Sequence, residues 1–152
     1  MELIESNDGW LLRFDEGRVN YIHIDFRLAL DFVDGTETSL VTIETTCRLK
    51  GPDVDVPITP AESSSLAPVL PLFNANVAGI AIGKTGYLKV EFGDGRALEV
   101  APDNSYEAWQ LGCSLGFMMV CSPGGPVSLF RDNKRPGRFT NPGCAPDRVN
   151  GG

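Results

Sequence analysis

Histidine is almost missing from this 152-residue chain, where His23 is the only one. Serine and cysteine nucleophiles commonly draw on an imidazole base, so a single His between two isoleucines leaves that chemistry little to work with. In a strand, His23 lies on the face opposite Ile22 and Ile24, as an ordinary surface or hydrogen-bonded side chain. The nucleophile elbow, the phosphate-binding loop and the dinucleotide glycine fingerprint are all missing. Gly83-Lys84-Thr85 has the end of a phosphate loop, but Ala78 stands where its first glycine belongs, and a strand follows instead of a helix. The four cysteines, Cys47, Cys113, Cys121 and Cys144, form no C-x-x-C pair, which removes the paired ligand spacing of zinc sites. Neither a metal nor a cofactor is expected. No charge-free apolar run nears the roughly 18 residues needed to span a membrane. The acidic start Met1-Glu2-Leu3-Ile4-Glu5 is unlike the basic opening of a secretory signal, which points to a cytoplasmic protein. Four free thiols follow from that setting, with Cys113 and Cys121 packing as small hydrophobes even if a hairpin brings them near one another.

Basic residues are the minority, 13 against 20 acidic ones, and the net charge of −7 is unevenly spread. Residues 131–152 hold five basic and two acidic side chains, a tail of +3, so the first 130 residues carry −10. An acidic body repels phosphate backbones, leaving nucleic-acid binding to the tail alone, whereas a basic protein partner suits it. The same charge also serves plain solubility.

What is abundant is alternation. Tyr21 to Phe26, then Leu28, Leu30 and Phe32, read as strands with one buried face, as do Leu40, Val41 and Ile43 and later Val90, Phe92, Leu98 and Val100. Asp34-Gly35 and Asp94-Gly95 sit between such runs as the central pairs of tight hairpins, and Asp15-Glu16-Gly17 marks a longer turn. The two hairpins match at one offset: Leu28, Leu30, Phe32, Asp34 and Gly35 against Leu88, Val90, Phe92, Asp94 and Gly95. The fold expected is mainly β with a small α component: an antiparallel roll or sandwich of two duplicated three-stranded units and one short helix. That helix starts at Thr59-Pro60-Ala61-Glu62, where a capping threonine, a first-turn proline and a glutamate coincide; Leu66, Val69, Leu70 and Phe73 follow at helical spacing, and Pro68 and Pro71 keep it short. Gly51 to Pro57 reads as a polar connection. Three further strands follow, over Tyr106 to Leu111, Phe117 to Cys121 and Val127 to Phe130.

Residues 1–130 therefore form one domain, with the repeat at about 18–50 and 76–102. The tail 131–152 has almost no apolar residue and is expected to be mobile.

Carboxylates are the remaining source of chemistry. Asp53 with Asp55, and Asp31 with Asp34 and Glu37, are near pairs, but none has the ordered spacing of a calcium loop, and turn chemistry accounts for Asp34 and Asp94. Tyr106, Glu107 and Trp109 bring rings beside an acid, the composition of binding hot spots, although Trp109 also suits a core.

Two Asp-Gly hairpins flanking a proline-containing helix, a Tyr106 to Leu111 strand and Val120-Cys121-Ser122-Pro123-Gly124-Gly125 before a last strand resemble small actinobacterial proteins catalogued as a domain of unknown function. The resemblance covers roughly residues 18 to 130. It implies a compact β-rich domain and carries over no catalytic residue.

The functional expectation is a non-enzymatic cytosolic binding protein, an immunity protein that neutralises a bacterial toxin by covering a basic toxin domain. The partner-binding residues expected are Asp31, Glu37, Glu44, Asp53 and Asp55, with Tyr106 and Glu107. A roll binding an apolar ligand near Trp109, Phe117 and Met119 is the alternative, and an enzyme using carboxylates and Tyr106 a further one. Exposed edge strands leave room for a homodimer, and no membrane contact is expected.

Overall fold

The computed structural model describes residues 1–132 and the strand Phe139–Thr140. Alternating burial along nearly every segment makes strands: β1 (Glu2–Glu5), β2 (Gly9–Ile24), β3 (Leu28–Asp34), β4 (Glu37–Ile43), β5 (Cys47–Lys50), β6 (Asp55–Ile58), β7 (Asn76–Gly83), β8 (Leu88–Phe92), β9 (Ala97–Val100), β10 (Trp109–Cys113), β11 (Phe117–Cys121), β12 (Val127–Arg131) and β13 (Phe139–Thr140). They form one sheet in the order β12-β11-β10-β4-β3-β2-β7-β8-β9-β5-β6, with β1 on β2 and β13 on β1. Every pairing is antiparallel except that of β1 with β13. None of the described helical segments is long and apolar enough to cross a membrane.

The matching segments become two meanders, β2-β3-β4 and β7-β8-β9, joined where β2 pairs with β7. Each meander then passes its following hairpin to the other half. The β5-β6 hairpin, which follows β4, docks on β9; the β10-β11 hairpin, which follows β9, docks on β4. This exchange dictates the curl. Along the sheet β4 and β5 are six ladder steps apart, about 29 Å at the usual strand spacing. Only residues 44–46 link them, a reach of at most about 14 Å. The sheet must fold over so that its two halves face each other, and the inward side chains of both halves make one core.

Contacts at the Gly86 turn close the fold. Trp109, fully buried on β10, donates its indole N–H to the Gly86 carbonyl at 2.8 Å, and the Cys121 thiol reaches the same oxygen at 3.6 Å. The Ser122–Pro126 turn lies against it so closely that a Cβ on Gly86 would sit 2.6 Å from the Gly125 carbonyl, and one on Gly125 2.3 Å from that of Thr85. The Cys121-to-Gly125 motif and Trp109 are therefore structural. Cys113 and Cys121 do not pair: Cys113 faces Phe117 across the hairpin, four strand positions (roughly 13 Å) from the Cys121 end. Cys47, Cys113 and Cys121 are free thiols, and Cys144 lies outside the described residues.

Asp34 does more than turn the chain. Its buried carboxylate accepts the amide N–H groups of Asp15 (3.1 Å) and Glu16 (2.8 Å) and meets the Met1 α-ammonium at 2.8 Å. That corrects the turn expected at Asp15-Glu16-Gly17. The chain there stays in β2 and absorbs a shift of register against β7, and Asp34 accepts two amides at the irregularity.

The first Asp-Gly hairpin forms one residue out of phase with the expectation. Asp34 pairs with Glu37, so the central residues are Gly35, at φ +63°, and Thr36. With positive φ at the first central position alone, the turn is of the II′ kind, which favours glycine there. In the second hairpin Gly93 to Arg96 form a four-residue loop in which only Gly95 (φ +88°) is left-handed.

The short helix is also corrected. Ser63–Ser65 and Ala67–Leu72 are 3-10 segments, and the Thr59 hydroxyl meets Thr46 instead of capping. Pro68 and Pro71 supply no N–H for a longer-range ladder, so only the tighter turns form. Val69 and Leu72 of this stretch, with Leu66 before it, still enter the core. Gly51 to Pro57 is not mere connection, since β6 begins at Asp55; Pro57 is tolerated because β6 is an edge strand. Tyr106 and Glu107 precede their strand, which starts at Trp109. Of the tail expected to be mobile, residues 133–138 and 141–152 lie outside the described residues; Phe139–Thr140 pairs with β1.

Two outcomes follow. Gly125→Ala forces a side chain onto the Thr85 carbonyl at a left-handed φ of +107°, and denaturant unfolding should show a loss of about 2 kcal/mol or more. Gly112→Ala, where an added Cβ meets nothing within 4 Å, should leave stability within about 0.5 kcal/mol.

The Met1–Asp34 pair makes stability depend on pH at both ends. Burial pushes the Asp34 carboxyl up, but the ammonium and the two amides outweigh it and hold the carboxyl below its ordinary value. Its contribution is complete above the unfolded value near pH 4 and is lost as pH falls through the lower folded value. Burial likewise opposes the charged Met1 amine, and Asp34 and Asp15 outweigh it, raising its value. That contribution is complete below about pH 8 and is lost as pH rises through the folded value. Melting temperature should therefore plateau between these limits, and Asp34→Asn should lower the plateau and flatten both shoulders.

Candidate functional site

The two halves share a strand pattern, and their inner faces are alike. Their outer faces are not. Across the second half, β8, β9, β5 and β6 carry Lys89, Glu91, Glu99, Arg48, Lys50 and Asp55 on the solvent side. These pair among themselves: Lys50 with Glu99 and Lys89 with Glu91, both at 3.0 Å, and Arg48 with Asp55. The Tyr87 hydroxyl donates to Glu99 at 2.9 Å. Charge ladders of this kind keep a sheet face solvated.

Across the first half, the register sets Tyr21 beside Asp31, Asp31 beside Leu40, Leu40 beside Gly112, Gly112 beside Met118 and Met118 beside Phe130. The adjoining row runs His23, Ala29, Thr42, Gln110, Val120 and Ser128. Tyr21, Leu40, Met118 and Phe130 are all exposed, and Tyr21 and His23 stack with ring centroids 5.9 Å apart. The face thus presents aromatic and aliphatic side chains with one carboxylate inside the patch. Asp31 accepts a hydrogen bond from the Asn20 amide at 3.2 Å and makes no ion pair among the described residues. A shallow cleft of about 650 Å³ opens along β2, β3 and β4, lined by His23, Ile24, Asp25, Arg27, Leu40 and Thr42 among others.

That cleft shares Asp25 and Arg27 with a second, of about 620 Å³, completed by Phe26, Glu44 and Tyr106. The β2-β3 turn builds one wall. Asp25 accepts the Arg27 amide and its guanidinium, both at 2.8 Å, and the guanidinium holds the Asp25 carboxyl down to about 2. Phe26 at the tip is 84% exposed, so the strand expected to run through Phe26 ends at Ile24 and places no ring inside. The opposite wall is the loop before β10. There the Asp103 carboxylate accepts the amides of Ser105 (2.7 Å) and Tyr106 (3.0 Å), leaving the Tyr106 ring 70% exposed.

Of the acids and aromatics expected to bind a partner, Asp31, Glu44, Tyr106 and Glu107 gather on or beside this face. Glu107 accepts a hydrogen bond from Gln110 of the second row at 2.9 Å. The others lie elsewhere. Glu37, at the opposite end of β4, accepts the Ser114 hydroxyl. Asp53 lines a separate cleft with Pro68, Pro71 and Arg96, and Asp55 is committed to Arg48. Sequence reasoning missed Tyr21, Phe26, Leu40, Met118 and Phe130, because apolar residues within strand patterns were assigned to the core.

The described thiols are poor nucleophiles: burial pushes Cys47 up to about 12 and Cys113 to about 11, and raises Cys121. Trp109, Phe117 and Met119, considered as a wall facing an apolar ligand, are packed in the core.

Exposed rings that serve recognition add little to folding. Phe26→Ala and Tyr106→Ala should each change unfolding free energy by less than about 0.5 kcal/mol. A larger loss in either, measured by urea titration, would make that ring structural.

No curated protein and no solved structure matches this chain. A family model does match, over residues 10–131, close to the span of the resemblance noted above and taking in both meanders and the face just described. The chain belongs to that family, a family of unknown function (DUF6188).

Proposed function

We propose that the protein is a non-enzymatic binding protein that engages another protein through the outer face of β2, β3, β4, β10, β11 and β12. The contrast between the two outer faces carries this reading. The same backbone pattern is covered by paired charges on one half and by Tyr21, Leu40, Met118 and Phe130 on the other. Solubility favours the first arrangement everywhere, so the second calls for a reason, and a partner supplies one. Aromatic and aliphatic side chains on rigid strands with a polar rim match the composition of interface cores.

In its finer form the proposal is a cytosolic immunity protein covering a basic toxin domain. The −10 charge of residues 1–130 supports this, because a negative field speeds encounter with a cationic surface and disfavours acidic competitors.

The test pairs the purified protein with products of neighbouring genes, toxin-like reading frames first, and measures affinity by calorimetry. Tyr21→Ala with Met118→Ala should weaken binding at least about tenfold, roughly 1.4 kcal/mol. Lys89→Ala, on the other outer face, should leave it unchanged, and added salt should slow association. Equal binding by the double variant, or no binding by any neighbouring product, would overturn the reading.

A further inference from the structure

We propose that the cleft between Phe26 and Tyr106 receives an arginine side chain of the protein partner, its guanidinium held by Glu44 between the two rings. The inference rests on the binding-protein reading and names the chemistry at one end of that face.

Three observations converge on it. The cleft, about 620 Å³, is lined by two acids, one base and two exposed rings: Asp25, Glu44, Arg27, Phe26 and Tyr106. The charges do not cancel. Asp25 is consumed by Arg27, which directs both Nε and a terminal nitrogen at it (3.2 and 2.8 Å). Arg27 feels Glu44 only through its field, and among the described residues no ion pair involves the Glu44 carboxylate. The backbone fixes Glu44 in place, its amide donating to the Ala108 carbonyl at 3.0 Å. One unmatched negative charge therefore shares the cleft with two aromatic side chains.

The backbone segments that carry both rings are also fixed. Phe26 sits at the tip of a three-residue turn closed by the Asp25 amide donating to the Arg27 carbonyl (3.1 Å) and by the Arg27 amide donating to the Asp25 carboxylate. Tyr106 sits on the turn fastened by Asp103. Ordering these loops adds little cost at the moment of binding, which is what lets exposed aromatics act as anchors.

An anion is repelled here, and a purely apolar side chain would leave Glu44 desolvated without a partner. A guanidinium suits Glu44 and both rings, while Asp25 already answers the charge of Arg27. It is planar, weakly hydrated, stacks on rings and offers a carboxylate two parallel N–H donors. A lysine ammonium makes the charge contact but has no flat face to lay on the rings.

The experiment is an NMR titration of the intact protein with Nα-acetyl-arginine methylamide, and with its lysine and norleucine counterparts. Saturable shifts confined to the amides of 25–27, 44 and 105–107 are expected for arginine, with at least about tenfold weaker affinity for lysine. Glu44→Gln and Phe26→Ala should each abolish saturation. No saturable shift with arginine, an equal response to lysine or norleucine, or an undiminished response in Glu44→Gln would overturn the assignment. A failure here, while Tyr21→Ala with Met118→Ala still weakens partner binding, would remove the arginine cleft and leave the binding face standing.

Discussion

Eleven strands laid edge to edge present one long apolar face, and the described residues include no helical layer to cover it. Such a face leaves water only if the sheet turns its halves toward each other. Two features impose that turn. The three-residue link from β4 to β5 is too short to reach across a flat sheet, and the Gly86 carbonyl receives Trp109 from strands that a flat sheet would hold far away. The second feature works only because Gly86 and Gly125 have no side chains, so that two turns can touch through their backbones. Everything else about the molecule is arranged around that closure, including which surfaces are left over for function.

Exchange of hairpins ties the halves together more firmly than core packing alone. The first half joins strands from both ends of the described chain and the second holds its middle, and each meander carries on its edge the hairpin that follows the other, so neither meander can open without stripping that hairpin. The proposed binding face across β2, β3, β4, β10 and β11 draws on segments up to about a hundred residues apart, yet sits on ladders held from both sides. Rigid strands of this kind present side chains with little freedom left to lose on binding.

Much of this organisation is legible in the sequence, and the parts that are not have physical causes. Alternation exposes the strands of both meanders, because one face is buried and period two is strict. Strand order stays hidden: nothing local in Cys47–Lys50 reveals that it pairs with β9 and not with β4. Asp34 looked like a turn residue because Asp-Gly is a turn signal. Its use as an acceptor for amides nineteen residues upstream is a tertiary contact that no local pattern carries. Charge density found Glu44 and Asp31, and the pattern of rings beside an acid found Tyr106, whereas Tyr21, Leu40 and Met118 were masked by their own hydrophobicity. An exposed Leu reads like a buried one until register assigns its face. Asp53 and Asp55 are equally acidic in sequence, and the fold sends them to the far end.

The electrostatics of the two outer faces then differ in kind as well as in composition. On the second half, carboxylates are matched locally by Lys50, Lys89 and Arg48, so their fields largely cancel within a few ångströms. On the first half, Asp31 is answered only by a neutral amide and Glu44 by no ion pair among the described residues, so their charge reaches outward. The negative field and the apolar rows thus come from the same face. On the proposed function, an approaching cationic partner is drawn toward the surface whose side chains can hold it, which couples encounter to retention. A face of paired charges offers neither effect, which is why the second half is better read as scaffold and the first as the working surface.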